Sequence, residues 1–179
     1  LAIDIGSNDG TLLKGFKEKG MRVLGVEPTD AAKDANKNGI PTIQAFFDKK
    51  VVKSVIKKYG KAKLITATNV FAHADDLHEF LRGVDRCMAQ KGIFVIECPY
   101  VMDFIEKNEF DTAYHEHLSY IGIHPLQVLM TQHGMSLFDV EYFKDLHGGT
   151  IRTFVARRGD YPASPNVQAF LNREKECGI

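Results

Sequence analysis

The chain has no net charge: 23 basic and 23 acidic side chains cancel over 179 residues. A broad electrostatic attraction to nucleic acid or to an anionic membrane surface is therefore not expected, and small molecules become the default partners. Cysteine is scarce. Cys87, Cys98 and Cys177 are scattered and odd in number, which excludes a disulfide framework and leaves no Cys-x-x-Cys metal site. The expected compartment is a reducing cytoplasm. No apolar run reaches membrane-spanning length, and no basic segment precedes a cleavable apolar stretch at the start. Both ends read as interrupted, with a strand already under way at Leu1 and a helical pattern over 166–176 that stops at Cys177-Gly178-Ile179. The expectation is a central piece of a longer polypeptide.

What is present suffices for one core: 44% of the residues are hydrophobic, enough for a single α/β domain without room for a second complete one. Apolar runs at 1–5, 22–26, 42–45, 64–68 and 93–97 read as strands. Amphipathic segments at 11–19, 31–37, 49–59 and 76–88 read as helices between them, the alternation expected of a parallel sheet covered on both faces. In the last helix Leu77, Phe80, Leu81, Val84 and Met88 share one face, behind Asp75 or Asp76 as N-cap. A less regular stretch, 99–122, precedes a helix opening at His124-Pro125 and ending at Gly134. Strands at 137–143 and 150–157, joined by a short connection, read as an antiparallel hairpin. Tyr161-Pro162-Ala163-Ser164-Pro165 reads as a linker, so the expected division is a domain over 1–159 followed by a linker and the start of a further domain over 160–179. The lysines from 49 to 63 read as a solvated helix face.

The first strand runs into Gly6-Ser7-Asn8-Asp9-Gly10, and the second ends on Glu27. A glycine turn lets backbone approach a ligand closely, and a carboxylate after the second strand can accept hydrogen bonds from a ribose diol. A dinucleotide fingerprint needs G-x-G-x-x-G, whereas Gly6 and Gly10 here bracket three residues and position 8 is Asn. The pattern resembles motif I of the S-adenosylmethionine-dependent methyltransferases. That resemblance implies the class I methyltransferase fold: a Rossmann-like, doubly wound α/β sheet, mostly parallel, with a C-terminal antiparallel hairpin. It also implies S-adenosylmethionine as methyl donor and S-adenosylhomocysteine as product. The candidate cofactor residues are Asp4, Gly6, Ser7, Asn8, Gly10, Glu27, Pro28, Phe46 and Asn69.

Open α/β sheets bind ligands beyond the carboxyl ends of their strands, where this chain places Asn69-Val70-Phe71-Ala72-His73 and Glu97-Cys98-Pro99-Tyr100, leading to Tyr114-His115-Glu116-His117. His73 reads equally well as a surface or capping histidine. Two histidines, a glutamate and two tyrosines over 114–120 bring together groups that titrate or donate protons. His115-x-His117 would be half a metal site, but no third ligand at a recognisable spacing accompanies it. A proton-transfer cluster is preferred, with an exposed polar loop as the alternative.

Four separated segments are similar to the sugar C-methyltransferases of deoxysugar biosynthesis, the nucleotide-diphosphohexose 3-C-methyltransferase family: Asn69-Val70-Phe71-Ala72-His73-x-Asp75-Asp76, Glu97-Cys98-Pro99-Tyr100, Asp111-Thr112-x-Tyr114-His115-Glu116-His117-x-x-Tyr120 and His147-Gly148-Gly149-Thr150-x-Arg152. The resemblance implies His117 as general base, with Tyr114, Glu116 and His73 around the sugar. It implies substrate contacts at His115, Gly148, Gly149 and Arg152, although the Gly-Gly pair reads equally as hairpin chemistry and Arg152 as a solvated strand residue. Members also carry an N-terminal zinc-binding region with clustered cysteines, which supplies a further tyrosine, and a C-terminal domain. This chain has neither, and no zinc site is expected in it. The implied reaction is His-catalysed deprotonation at C3 of a 4-keto-deoxy nucleotide sugar, followed by in-line methyl transfer. The alternatives are an O- or N-methyltransferase of another small metabolite and a catalytically inactive module that binds a nucleotide sugar.

Overall fold

The computed structural model describes residues 1–109, 113, 115–146 and 148–178. Tyr114 and His147, together with Asp111 and Thr112 of the same motifs, lie outside them. The strands β1 (Ala2–Ile5) and β2 (Val23–Glu27) are buried at every position, as strands covered on both faces must be. They alternate with α1 (Thr11–Glu18) and α2 (Ala31–Lys37), followed by β3 (Thr42–Gln44), α3 (Lys49–Tyr59) and β4 (Ala62–Thr68). After a single 3-10 turn at Phe71–His73 come α4 (Leu77–Cys87), β5 (Met88–Pro99), α5 (Val101–Lys107) and α6 (Ile123–Gln132). The chain closes with β6 (Met135–Phe143), β7 (Thr150–Arg157) and α7 (Pro165–Glu176).

The strand order is β3-β2-β1-β4-β5-β7-β6 in one seven-stranded sheet. β1 pairs in parallel with β2 and with β4, and β2 with β3, whereas β6 and β7 form the expected antiparallel hairpin, from Phe143 opposite Thr150 to Met135 opposite Arg157. Chain order reverses direction at β1 and β4, and such a switch point opens a crevice at the carboxyl ends of its strands.

Two units divide the chain. The first comprises Leu1–Thr68 and Asp76–Phe94. Leu13, Val23, Ala35 and Ile40 make one buried cluster here, with Phe16 and Met21 against it. Asp48 caps α3 by accepting from the backbone of Lys50 and Val51, and Asp76 caps α4 by accepting from Glu79 N at 2.9 Å. Gly25 sits inside β2 because a side chain there would collide with the Ser7 hydroxyl and lie 2.6 Å from Thr42 Oγ1.

The second unit comprises Asn69–Asp75 and Val95–Ile179. α6 has no side-chain cap of its own. Glu174 of α7, fully buried, serves instead: its carboxylate accepts from Ile123 N at 2.6 Å, His124 N at 2.7 Å and Tyr100 OH at 2.9 Å, satisfying donors that a helix start leaves open. The stretch read as a linker lies along β6, with Ser164 N bonded to Phe138 O at 2.7 Å and the Tyr161 ring stacked on Phe138. α5 was not expected. Its buried Asp103 interrupts the apolar face that would have marked it in the sequence.

Candidate active site

In the first unit the chain leaves β1 through a turn in which Gly6, Asn8 and Gly10 take φ of 69°, 50° and 83°. Glycine meets that demand at two of the positions, and Asn is among the few other residues that tolerate it. At Gly10 a Cβ would also lie 2.9 Å from Ile40 Cγ2. Gly6 N donates to Val26 O at 2.8 Å, which holds the turn against β2. Glu27, only 6% exposed, completes the arrangement: one oxygen accepts from Asn8 N at 3.0 Å and the other from Thr29 N at 2.8 Å. A carboxylate has about four acceptor positions, so both oxygens keep capacity for a second donor. Two such acceptors side by side fit the paired hydroxyls of a ribose as donors.

Asp4 and Ser7 support this turn from within. Asp4 is 3% exposed and accepts from Thr66 Oγ1 at 2.6 Å. Burial pushes its pKa up to about 7, against the lowering effect of the Thr66 hydrogen bond and with a smaller upward contribution from the Glu27 charge. Ser7 fills the space above Gly25, and its hydroxyl has no hydrogen-bond partner among the described residues. Beyond β3, Ala45 N bonds to Glu27 O at 3.1 Å, and the next ring, Phe46, is 77% exposed. Pro28, after Glu27, is half-buried.

The second unit brings His73 and His117 together. Leu118 N and Ser119 N both donate to Ala72 O, so the segment after 114 is stitched to the 3-10 turn that carries His73. The rings of His73 and His117 lie 5.0 Å apart, and Tyr120 presents its edge to His117 at 6.3 Å. His73 Nδ1 meets the backbone carbonyl of Glu116 at 2.6 Å. A carbonyl only accepts, so Nδ1 carries the hydrogen, and the lone pair of the neutral ring is at Nε2. It is thus the Glu116 backbone that orients a histidine; the Glu116 side chain and His115 are exposed. A shallow, solvent-open cleft is walled by Pro99, Val101, Phe104 and Tyr120, with Glu109, His117 and Ser119 as polar groups. Asn69, left-handed at φ 53° and exposed, donates its N–H to Glu97 O at 2.8 Å.

Arg152 is engaged by carboxylates: Nε and one amino group reach Glu97 at 2.8 and 2.7 Å, the other amino group reaches Glu141 at 3.1 Å, and the guanidinium lies over the Phe143 ring. Gly148 and Gly149 adopt φ of 77° and 142°. A side chain on Gly149 would strike the buried Asp103, whose Oδ1 would lie 2.8 Å away, and one on Gly148 would meet Glu109. Glu109 also lines the cleft, and no spacing in the sequence singles it out. Among the described residues no group of three His, Cys, Asp or Glu side chains is placed to hold a metal ion, and no helix is long and apolar enough to cross a membrane.

Residues 2–140 match the family model described as a methyltransferase domain. The chain is 38% identical over 181 residues to the C-methyltransferase NovU of Streptomyces niveus, an alignment that covers all of this chain and 43% of that protein. It thus spans less than half the length of that curated relative. Among solved structures, a SAM-dependent methyltransferase from Archaeoglobus fulgidus matches with a TM-score of 0.68 at 16% identity, over 86% of this chain and 85% of that one. The magnesium protoporphyrin IX methyltransferase ChlM of Synechocystis PCC 6803, solved with bound SAH, matches with a TM-score of 0.64 at 10% identity, over 88% and 73%. At these identities the likeness to solved structures is one of fold.

Proposed function

Because the chain belongs to the methyltransferase domain family, we propose that it is the catalytic domain of an S-adenosylmethionine-dependent C-methyltransferase whose acceptor is a 4-keto-deoxy nucleotide sugar. The observation that carries this reading is the pairing of His73 and His117, their rings 5.0 Å apart beside a cleft with aromatic walls. Carbon is a poor nucleophile unless a neighbouring carbonyl acidifies its proton, so C-methylation needs a base where O-methylation of an acidic hydroxyl needs little help.

In this reading the turn over 6–10 and Glu27 bind the methyl donor, Glu27 through the ribose hydroxyls, with Pro28 and the exposed Phe46 ring alongside; Asp4 and Ser7 hold the turn in shape. S-adenosylmethionine supplies an electrophilic methyl and leaves as S-adenosylhomocysteine. His117 takes the proton from C3 of the sugar, a task suited to an imidazole whose ordinary pKa is about 6.5. Tyr114 donates a hydrogen bond to the developing enolate oxygen. His73, with Nδ1 committed to the Glu116 carbonyl, donates from Nε2 only as an imidazolium. Its stabilisation of an oxyanion therefore requires the protonated ring. Asn69 belongs to the donor side of the reaction. His115, Gly148, Gly149 and Arg152 are assigned to the nucleotide end of the acceptor, Arg152 being held in place by Glu97 and Glu141.

The test uses the full-length protein. His117→Ala should abolish methyl transfer to a 4-keto-6-deoxy nucleotide sugar and leave S-adenosylhomocysteine affinity intact by calorimetry. Glu27→Ala should weaken that affinity about 10- to 100-fold. In the absence of methyl donor, wild type should exchange the sugar C3 proton with solvent and His117→Ala should not. Turnover by His117→Ala near the parent rate would refute its role as base.

A further inference from the structure

We propose that Tyr120 is an acceptor-binding residue: the face of its ring is the platform on which the hexose of the acceptor lies, beside the imidazole of His117. The inference rests on reading the cleft as the acceptor site and the acceptor as a 4-keto nucleotide sugar.

The backbone on either side of Tyr120 is tied down. Before it, Leu118 N and Ser119 N donate to Ala72 O at 3.0 and 3.2 Å, which holds the segment on the turn that carries His73. After it, Ile121 O accepts from Val101 N at 3.1 Å, and Ile121 bridges Tyr100 in parallel where α5 begins. Tyr120 is the one residue between these two anchors. Phe104 of α5 then restrains the ring itself, with centroids 5.1 Å apart and planes inclined by 34°. Held in this way, Tyr120 is nevertheless 42% exposed, whereas Tyr100 across the bridge is buried. The fold positions the ring and leaves it uncovered, as a surface for a ligand requires.

The shape of the cleft decides how that surface is used. It is shallow and open to solvent, so an acceptor is held against a wall and not enclosed. A hexose suits a wall of this kind because its ring carbons present C–H groups to one side. The face of an aromatic ring carries partial negative charge, and C–H groups beside a keto carbonyl are polarised positive. A second flat group, the nucleobase, competes for the same assignment, and distance decides against it. The rings of Tyr120 and His117 lie 6.3 Å apart, whereas the ribose and the diphosphate separate the nucleobase from the reacting carbon. The ring that rests beside the proposed base is the one that bears the proton to be removed.

The experiment compares the full-length wild type with Tyr120→Leu and Tyr120→Phe, using a 4-keto-6-deoxy nucleotide sugar as acceptor and the corresponding free nucleoside diphosphate as inhibitor. Tyr120→Leu should raise the acceptor KM about 3- to 10-fold, with kcat little changed and S-adenosylhomocysteine affinity unaltered. Tyr120→Phe keeps the ring face and should bring KM back to within about twofold of the parent. The nucleoside diphosphate has no hexose, so it should inhibit all three proteins equally. A parent-like KM in Tyr120→Leu overturns the proposal. So does a Tyr120→Phe as weak as Tyr120→Leu, because the phenol hydroxyl and not the ring face would then do the binding. A matching loss of nucleoside diphosphate affinity would give the platform to the nucleobase, and a fall in kcat at unchanged KM would reduce Tyr120 to a support for His117; either result refutes the hexose assignment. A wild-type protein that binds S-adenosylhomocysteine yet turns over no 4-keto-6-deoxy nucleotide sugar overturns the acceptor class, and this inference with it, a result distinguishable from the others because no variant is involved.

Discussion

Asp4 is an uncommon kind of residue to build into a strand: a carboxylic acid, 3% exposed, whose pKa burial raises and the charge of a second carboxylate, Glu27, raises a little further. Its proton is held to about pH 7 in the folded chain, against an ordinary value of 3.8. The sign of the resulting pH dependence follows. Between these values the unfolded chain has released the proton and the native chain retains it, so the unfolded state binds fewer protons and stability declines as pH rises. The decline starts near the unfolded value and levels off once the native group has also ionised. Asp4→Asn removes the contribution. Relative to that variant, the wild type should lose roughly 2 to 4 kcal/mol of unfolding free energy between about pH 4 and about pH 8, read from urea midpoints at each pH. A constant gap across the range would show that the buried group is ionised throughout.

At the scale of elements, the chain was legible where a period had room to repeat. α2, α3 and β7 occupy the ranges expected from pattern alone, 31–37, 49–59 and 150–157, and at α3 the Asp48 cap fixes the first turn where the pattern begins. β5 begins five residues earlier than expected, at Met88, since Gln90-Lys91-Gly92 has the composition of a turn and Lys91 takes a φ of 51°. The glycine turn and Glu27 were legible as a pair because each follows directly on a buried strand, and the structure joins them through Asn8 N on the Glu27 carboxylate. Asp103 and Glu109 were not, since each becomes meaningful only when the loop carrying Gly148 and Gly149 is brought beside it by the pairing of β6 and β7. Glu174 was equally silent: a glutamate in a polar helix gives no hint that it will cap another helix. Glu174→Ala should strip three donors, Tyr100 OH and the amides of Ile123 and His124, of their common acceptor. A loss of about 3 to 5 kcal/mol is expected in denaturant unfolding, with amide hydrogen exchange at Ile123 and His124 accelerated most. Unchanged exchange at those amides would mean that water replaces the carboxylate without cost.

For the molecule as a whole, the division into two units separates two groups of the proposed site residues. The turn over 6–10 with Glu27 belongs to the first, and the histidine cluster and its cleft to the second. The second unit also contains α7, which packs on α6 and β6 and supplies Glu174. Cysteine distributes itself over the same division. Cys87 lies buried in the first unit and Cys98 in the second, while Cys177 is exposed. Burial pushes the Cys87 thiol up to about 11 and the Cys98 thiol up to about 12, and only a thiolate attacks an alkylating reagent. In the native protein such a reagent should label Cys177 quickly and reach the other two only when their surroundings open. Followed by peptide mass spectrometry, the sulfurs become a pair of clocks. If Cys87 and Cys98 are alkylated at one rate, the two halves breathe as a single cooperative body; if at different rates, the slower clock marks the half that outlasts its neighbour.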